Sequence, residues 1–323
     1  MTDIPQYYQK HMDDAIGRYL AIQGDASWIF STDFHAHDNT FVCVELMKYL
    51  NETTGIKNVF VGGDFPYAFG TEISCLYDTE RSVSYLARIK PKMNLYIARG
   101  NHDITIRTRM EETEGHTYPK EFTQQLLMSA VSPFTAELTE DMCYYIDDTK
   151  NKIRYIVVNT SDSQSSDENK YWGVNSSVGD RQLKWLSQKA FSLPDGGENW
   201  AVVTFGHIPC AECIQDYEPP LGDFSALLAD FKNKRKSVYA DFSSSKADFA
   251  AFICGHNHLD RFGYDDGVLH ISTGSEAYYH DDVWERKIGT TSETLFDIFT
   301  IDKKTRKLYA TRIGAGEDRV FDY

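Results

Sequence analysis

The 323-residue chain has no apolar run approaching the length that crosses a bilayer, so a membrane-spanning helix is not expected. Its opening stretch, MTDIPQYYQKHMDDAIGRYL, lacks the basic region and continuous apolar segment of a secretory signal, and the expected location is the cytoplasm. No block of Lys and Arg interrupts a formal net charge of −15 spread along the chain, which disfavours a nucleic-acid polymer as partner. Internal repeats, Pro- or Gly-rich linkers and shifts in composition are also missing, so one domain over residues 1–323 is the expectation. Cys210-Ala-Glu-Cys213 has the spacing of a redox pair or half a zinc site, but no second such pair exists and no thioredoxin-like unit follows it. Cys43, Cys143 and Cys254 fall in apolar segments, where a reduced thiol acts as a small hydrophobe.

What the chain does have is a series of short apolar runs: Trp28 to Phe30, Val59 to Val61, Leu95 to Ala98, Ile153 to Val158, Val202 to Phe205 and Ala250 to Cys254. Runs without polar alternation suit strands buried on both faces of a sheet covered by helices. Between them Val42, Leu46, Tyr49 and Leu50 recur at helical spacing, as do Leu183, Leu186 and Ala190 after Asp180, the expected N-cap. This is the pattern of an α/β fold. In the last third Val268 to Ser272, Leu295 to Ile301 and Lys307 to Ile313 read as strands joined by polar turns, a meander expected to finish a second sheet. The stretches 105–118, 161–172, 210–222, 236–247 and 279–293 read as loops or insertions that shape a pocket where they reach the active face.

Five of the strand-like runs end in residue types that bind metals. They lead to Asp33-Phe-His35, to Gly62-Gly63-Asp64, to Gly100-Asn101-His102-Asp103, to Gly206-His207 and to Gly255-His256-Asn257-His258. In α/β sheets ligands bind beyond the carboxyl ends of the strands, so residues scattered in sequence can converge on one edge. Residues two apart at a strand end project to the same side, which lets Asp33 act beside His35 and His256 beside His258. Carboxylate, amide oxygen and imidazole together suit borderline divalent ions such as manganese, iron or zinc, and the lack of thiolate ligands argues against a structural zinc site. A single D-x-H or G-D is common by chance. Five of the ten histidines lie in these elements, however, which independent surface residues would not produce.

The order D-x-H, G-D, G-N-H-D, G-H, G-H-x-H resembles the calcineurin-like metallophosphoesterase superfamily, with motifs running from Asp33 to His258. The resemblance implies a double β-sheet sandwich flanked by helices, with a motif core over about residues 25–275 and C-terminal strands over about 295–313. It further implies that Asp33, His35 and His258 hold one ion, that Asn101, His207 and His256 hold the other, that Asp64 bridges them, and that His102 is the catalytic histidine. Protein Ser/Thr phosphatases of the superfamily carry G-D-x-V-D-R-G, whereas this chain has Asp64-Phe-Pro-Tyr-Ala-Phe, so that branch is not expected. The D-x-H opening is closer to the branch containing cyclic-nucleotide phosphodiesterases. The closing segment Ile313-Gly-Ala-Gly-Glu-Asp-Arg319 is similar to the end of metallophosphatases from Gram-positive bacterial and prophage genomes.

The expected reaction is hydrolysis of small phosphoesters, mono- or diesters, by water activated between two divalent ions. Arg99 and Arg107 flank the G-N-H-D motif and are candidate contacts for a substrate phosphate, although as surface or ion-pairing residues they need no such role, the reading slightly favoured. His37, Asp38, Tyr67, Tyr171, Trp172 and Tyr279 stand near motif ends or in pocket loops, where the aromatic ones could stack on a base or pack in the core. A nuclease of the same superfamily and a metal-containing phage module without turnover are the competing readings. The acidic charge argues against the first, and the intact His102 against the second. Sequence assigns neither an acidic partner for His102 nor an oligomeric state.

Overall fold

The computed structural model describes residues 2–67, 69–90, 92–106, 116–117, 120–138, 141–162, 177–214, 221–278 and 283–323. In chain order the strands are β1 (Ala26–Ser31), β2 (Asn58–Val61), β3 (Asn94–Ile97), β4 (Thr105–Ile106), β5 (His116–Thr117), β6 (Ala136–Leu138), β7 (Cys143–Asp148) and β8 (Ile153–Val157). They continue with β9 (Ala201–Phe205), β10 (Asp248–Cys254), β11 (Arg261–Asp265), β12 (Val268–Ser272), β13 (Leu295–Asp302), β14 (Lys307–Gly314) and β15 (Arg319–Asp322). The helices are α1 (Gln6–Leu20), α2 (Thr40–Thr54), α3 (Glu72–Ala87), α4 (Lys120–Ala130), α5 (Asp180–Trp185) and α6 (Gly222–Lys232).

Two mixed sheets result. The first has the order β15-β14-β13-β1-β2-β3 and the second β11-β12-β10-β9-β8-β7-β6. In the first, β1, β2 and β3 run parallel; in the second, β8, β9, β10 and β12 do. The apolar runs are apolar throughout because each strand buries both faces. Along β1, Trp28 and Phe30 turn to the space between the sheets, while Ile29 packs outward with Met12, Leu46 and Leu50 of the covering helices. The inter-sheet core is aromatic: Phe60 stacks on Phe205 with ring centroids 4.1 Å apart, and Trp28 meets Tyr155 edge-on at 5.3 Å. Such offset and edge contacts let large rings fill the layer without voids.

The helical spacing of Leu46, Tyr49 and Leu50 corresponds to the buried face of α2, which ends where Gly55 takes φ 78° and its N–H returns to the Asn51 carbonyl. Two expectations need correction. The meander β13-β14-β15 extends the first sheet, β13 lying antiparallel to β1, while Val268–Ser272 belongs to the other sheet. Which strand a hairpin pairs with is a long-range choice that a strand's own residues do not encode. Asp180 is the first residue of α5 rather than its N-cap, which is Gly179; its carboxylate meets Lys184 one turn on, at 2.6 Å. Among the described residues no helix is long and apolar enough to cross a membrane.

Candidate metal centre

The three parallel strands of the first sheet and β9 and β10 of the second end at the same edge, and their following turns interlock. The His256 N–H points at both Asp33 carboxylate oxygens (3.2 and 3.0 Å), and the His207 Nδ1–H donates to the Gly62 carbonyl at 2.7 Å. Gly255 is required here, since a Cβ on it would strike Thr32 Oγ1 and Asp33 Oδ2. Asp33, His35, Ala36, Asp64, His256 and His258 all adopt positive φ, between 45° and 74°. A non-glycine residue in that region costs about 1–3 kcal/mol, and such residues persist only where the surroundings over-determine them.

These turns bring together all seven ligand candidates. His35 Nε2 lies 3.0 Å from His258 Nε2, which is 3.3 Å from Asp33 Oδ1. On the other side His207 Nε2 is 2.9 Å from Asn101 Oδ1 and 3.1 Å from Asp64 Oδ2, and His256 Nδ1 is 2.9 Å from the same Asn101 oxygen. Asp64 belongs to both groups, its carboxylate clustering with His35 and His102 and also with His207 and His256. The donor set fits divalent cations. His35 and His207 each face a backbone carbonyl through Nδ1, Pro66 at 3.2 Å and Gly62 at 2.7 Å, so in the neutral ring that nitrogen carries the hydrogen and Nε2 turns a lone pair inward. With both rings neutral, lone pair faces lone pair at the centre, an arrangement that a cation, or in its stead a proton on His207, resolves.

The local field has the same origin. Burial opposes ionisation of Asp64, yet His207 and His102 hold its carboxyl well below the usual range; Asp33 is held down likewise, against burial, by His258 and His207. Burial would depress His207, but Asp64 and Asp33 raise it to about 10. His35 is pushed well below its ordinary value by burial and by His102 and His258.

His102 stands at the rim of the cluster. Its N–H donates to Asp64 Oδ1 at 2.9 Å, its Nδ1 meets the Tyr67 carbonyl at 3.2 Å, and its Nε2 lies 3.8 Å from Asp64 Oδ2. The partner described for its outer nitrogen is thus a peptide carbonyl, where the sequence had left an acid unassigned. Burial and the neighbouring imidazoles lower its pKa, against the pull of Asp64.

Arg99 is a correction. It is 1% exposed and donates through Nη2 to the Ser161 carbonyl at 3.0 Å, among Asp162, Asp103 and Asp141, so it supports the floor of the site and offers no surface to a phosphate. Arg107, Tyr171, Trp172 and Tyr279 lie outside the described residues. His37 packs edge-on to Tyr278 at 4.9 Å, Tyr67 against Phe69 at 4.8 Å, and Asp38 is exposed beside Arg81.

Sequence reasoning passed over Asp103, whose buried carboxylate accepts the backbone N–H groups of Asp64, Phe65 and Gly100 at 2.7–3.1 Å. Burial and the nearby Asp64 push it up to about 7. The final D of G-N-H-D was its signal. Thr160 does the same for His207, taking the N–H groups of His207 and Ile208 on one hydroxyl, and Ser275 Oγ donates to the Asp33 carbonyl. An isolated Ser or Thr carries no sequence signal of this kind.

Comparisons with known proteins agree with this architecture. No curated protein matches the chain. Among solved structures it resembles GAP50, the anchor in the inner membrane complex of Plasmodium, with a TM-score of 0.52 and 11% identity over 90% of this chain and 84% of that one. A provisionally named 5′-nucleotidase of Staphylococcus aureus gives 0.49 and 12% over 92% of this chain and 54% of that chain. The phosphopantetheinyl hydrolase of Mycobacterium tuberculosis gives 0.36 and 12% over 79% and 91%. The likeness to GAP50, at such identity, speaks for the fold alone. The calcineurin-like phosphoesterase family model, however, matches residues 29–260, the span that carries every candidate ligand. The chain therefore belongs to the calcineurin-like phosphoesterase family and is a metal-dependent phosphoester hydrolase.

Proposed function

We propose that the chain hydrolyses small phosphoesters at a pair of divalent-cation sites. Asp33, His35 and His258 hold one ion, Asn101, His207 and His256 the other, and Asp64 is shared between them. The observation that carries this reading is the convergence of His207 Nε2 and His256 Nδ1, each 2.9 Å from Asn101 Oδ1, with Asp64 Oδ2 3.1 Å from His207 Nε2, mirrored by His35 Nε2 and His258 Nε2 at 3.0 Å. Bound divalent ions of the manganese, iron or zinc type supply an acidified water for attack on phosphorus and offset charge on the phosphoryl oxygens.

The chain's own groups do the rest. Asp103 and Thr160 hold the ligand turns by their backbone N–H groups, and burial excludes bulk water from the carboxylates. His102, oriented by Tyr67 and by Asp64, hands a proton to the leaving oxygen; a positioned acid of this kind contributes about 10²–10⁴-fold.

Small substrates follow from charge: 48 acidic against 33 basic residues leave no stripe to neutralise a polymer of phosphates. Diesters are favoured by the D-x-H opening. We read the segment Ile313 to Arg319 as a sign of the Gram-positive bacterial or prophage branch, and the aromatic layer shared by both sheets as support for one domain. The test is turnover of a chromogenic diester and monoester with and without chelator, followed by mononucleotide diesters and oligonucleotides across a salt series. Chelator-sensitive turnover, with diester ahead and little salt dependence, is expected. A far higher kcat/KM for oligonucleotides that falls steeply with salt would replace this reading with a nuclease.

A further inference from the structure

His256 and His258 sit on a turn with φ of 74° and 56°, and something must hold that turn in place. Its middle is pinned by Asn257, whose Nδ2 donates to the Ile214 carbonyl at 2.7 Å. Its end is pinned by Asp260, and the groups that hold Asp260 come from the far end of the chain. Arg312 Nη2 donates to it at 2.8 Å, Arg319 Nη1 at 2.9 Å and the Gly274 N–H at 3.0 Å. Both arginines also grip Asp297, Arg312 through Nε at 2.9 Å and Arg319 through Nη2.

The cluster bridges the two sheets. Asp297, Arg312 and Arg319 lie on β13, β14 and β15 of the first sheet, with Asp297 in register with Phe30 of β1, the strand that leads to Asp33. Asp260 ends the turn leaving β10 of the second. Arg312 is 1% exposed and Asp297 fully buried, so the link is shielded from solvent and ions. The family match stops at residue 260, leaving both arginines outside it.

We propose that Arg312 and Arg319 are positioning residues: through Asp260 they fix the turn that presents His256 and His258, so the C-terminal hairpin sets the metal affinity of the cleft. The inference rests on the reading of those histidines as ligands. A planar guanidinium spans two carboxylates with fixed geometry, which a lysine ammonium does not reproduce. Strand β8 of the second sheet supplies a control, Arg154, 2% exposed and paired bidentately with Asp147 at 2.6 and 2.7 Å.

The experiment titrates Mn²⁺ alone into the metal-stripped full chain by calorimetry, well below the melting temperature, for the wild type and for Arg319→Lys, Arg154→Lys and His258→Ala. Arg319→Lys keeps the charge and so the fold, and it should weaken Mn²⁺ binding about tenfold, the low end of what outer-partner changes cost. Arg154→Lys should lower Tm at least as much and leave Mn²⁺ affinity unchanged. Wild-type affinity in Arg319→Lys, or equal weakening in both lysine variants, overturns the proposal. Asp260→Asn, which removes the same contacts from the other side, carries the same expectation should Arg319→Lys fail to fold. Unaltered binding by His258→Ala would instead overturn the ligand reading beneath it.

Discussion

Two buried groups of acids lie on either side of the turn that ends β10, and they are neutralised differently. Asp260 and Asp297 face two guanidinium groups, so their counter-charge is built into the chain. Asp33 and Asp64 face imidazoles and a carboxamide, groups that in their neutral forms offer acceptors as readily as donors. Since a buried carboxylate without a counter-charge is costly, the proposed cations would supply the second cluster's counter-charge in place of protons on its imidazoles. A third buried acid, Glu276, adds another solution. It accepts from Asn39 Nδ2 at 2.7 Å and Thr294 Oγ1 at 3.0 Å, and burial raises its pKa to about 8, so it keeps its proton.

Changing one acid in each cluster should therefore have opposite consequences. Asp64→Asn removes the charge shared by both cation sites and should lower kcat/KM by about 10³-fold, roughly 4 kcal/mol in barrier, with loss of bound metal. Asp297→Asn should lower Tm and keep bound metal and chelator-sensitive activity, with Mn²⁺ affinity weakened no more than in Arg319→Lys. If Asp64→Asn kept its metal and its rate, the two clusters would not differ as described.

His102→Ala should retain metal and slow turnover by about 10²-fold on substrates with poor leaving groups, and much less on nitrophenyl esters that need no proton. An equal loss on both would deny it the acid's role. Saturating the stripped protein with Mn²⁺ should stabilise it by about 2.7 kcal/mol per site at a hundredfold excess over Kd, a rise of several degrees in Tm that chelator reverses. Calorimetric melts check this.

The smallest effect sharpens the comparison at Glu276. Its folded pKa of about 8 exceeds the ordinary 4.5, so the folded state binds a proton more tightly and wild-type stability falls as pH rises from 4.5 to 8. Glu276→Gln has no proton to lose. Its Tm relative to wild type should climb by about 7 °C across that window. A constant difference between pH 5 and pH 8 would mean that Glu276 is ionised in the fold.

The convergence of the cleft could be read from the sequence because parallel strands buried on both faces leave unmistakable runs, and because each candidate ligand follows its run within a few residues. α1 was less visible: Tyr8, Met12 and Ala15 form its buried stripe amid polar residues, a periodicity too thin to single out. The sheet to which β13 and β14 belong, and the distance from Asp260 to Arg312 and Arg319, depend on contacts across more than fifty residues. No local pattern records those. Arg99 looked like a phosphate ligand because it precedes Asn101, but position in sequence does not tell a buried arginine from an exposed one; the deciding quantity was its 1% exposure. Asp103 was in plain view within its motif, and only the three converging N–H groups reveal its task.

The central claim is that the cleft of imidazoles, amide and carboxylates is completed by two cations. Elemental analysis of purified, active wild-type protein beside Asp64→Asn tests it most directly. The account predicts close to two transition-metal ions per chain in the first and a substoichiometric amount in the second. Active protein containing no metal would contradict it.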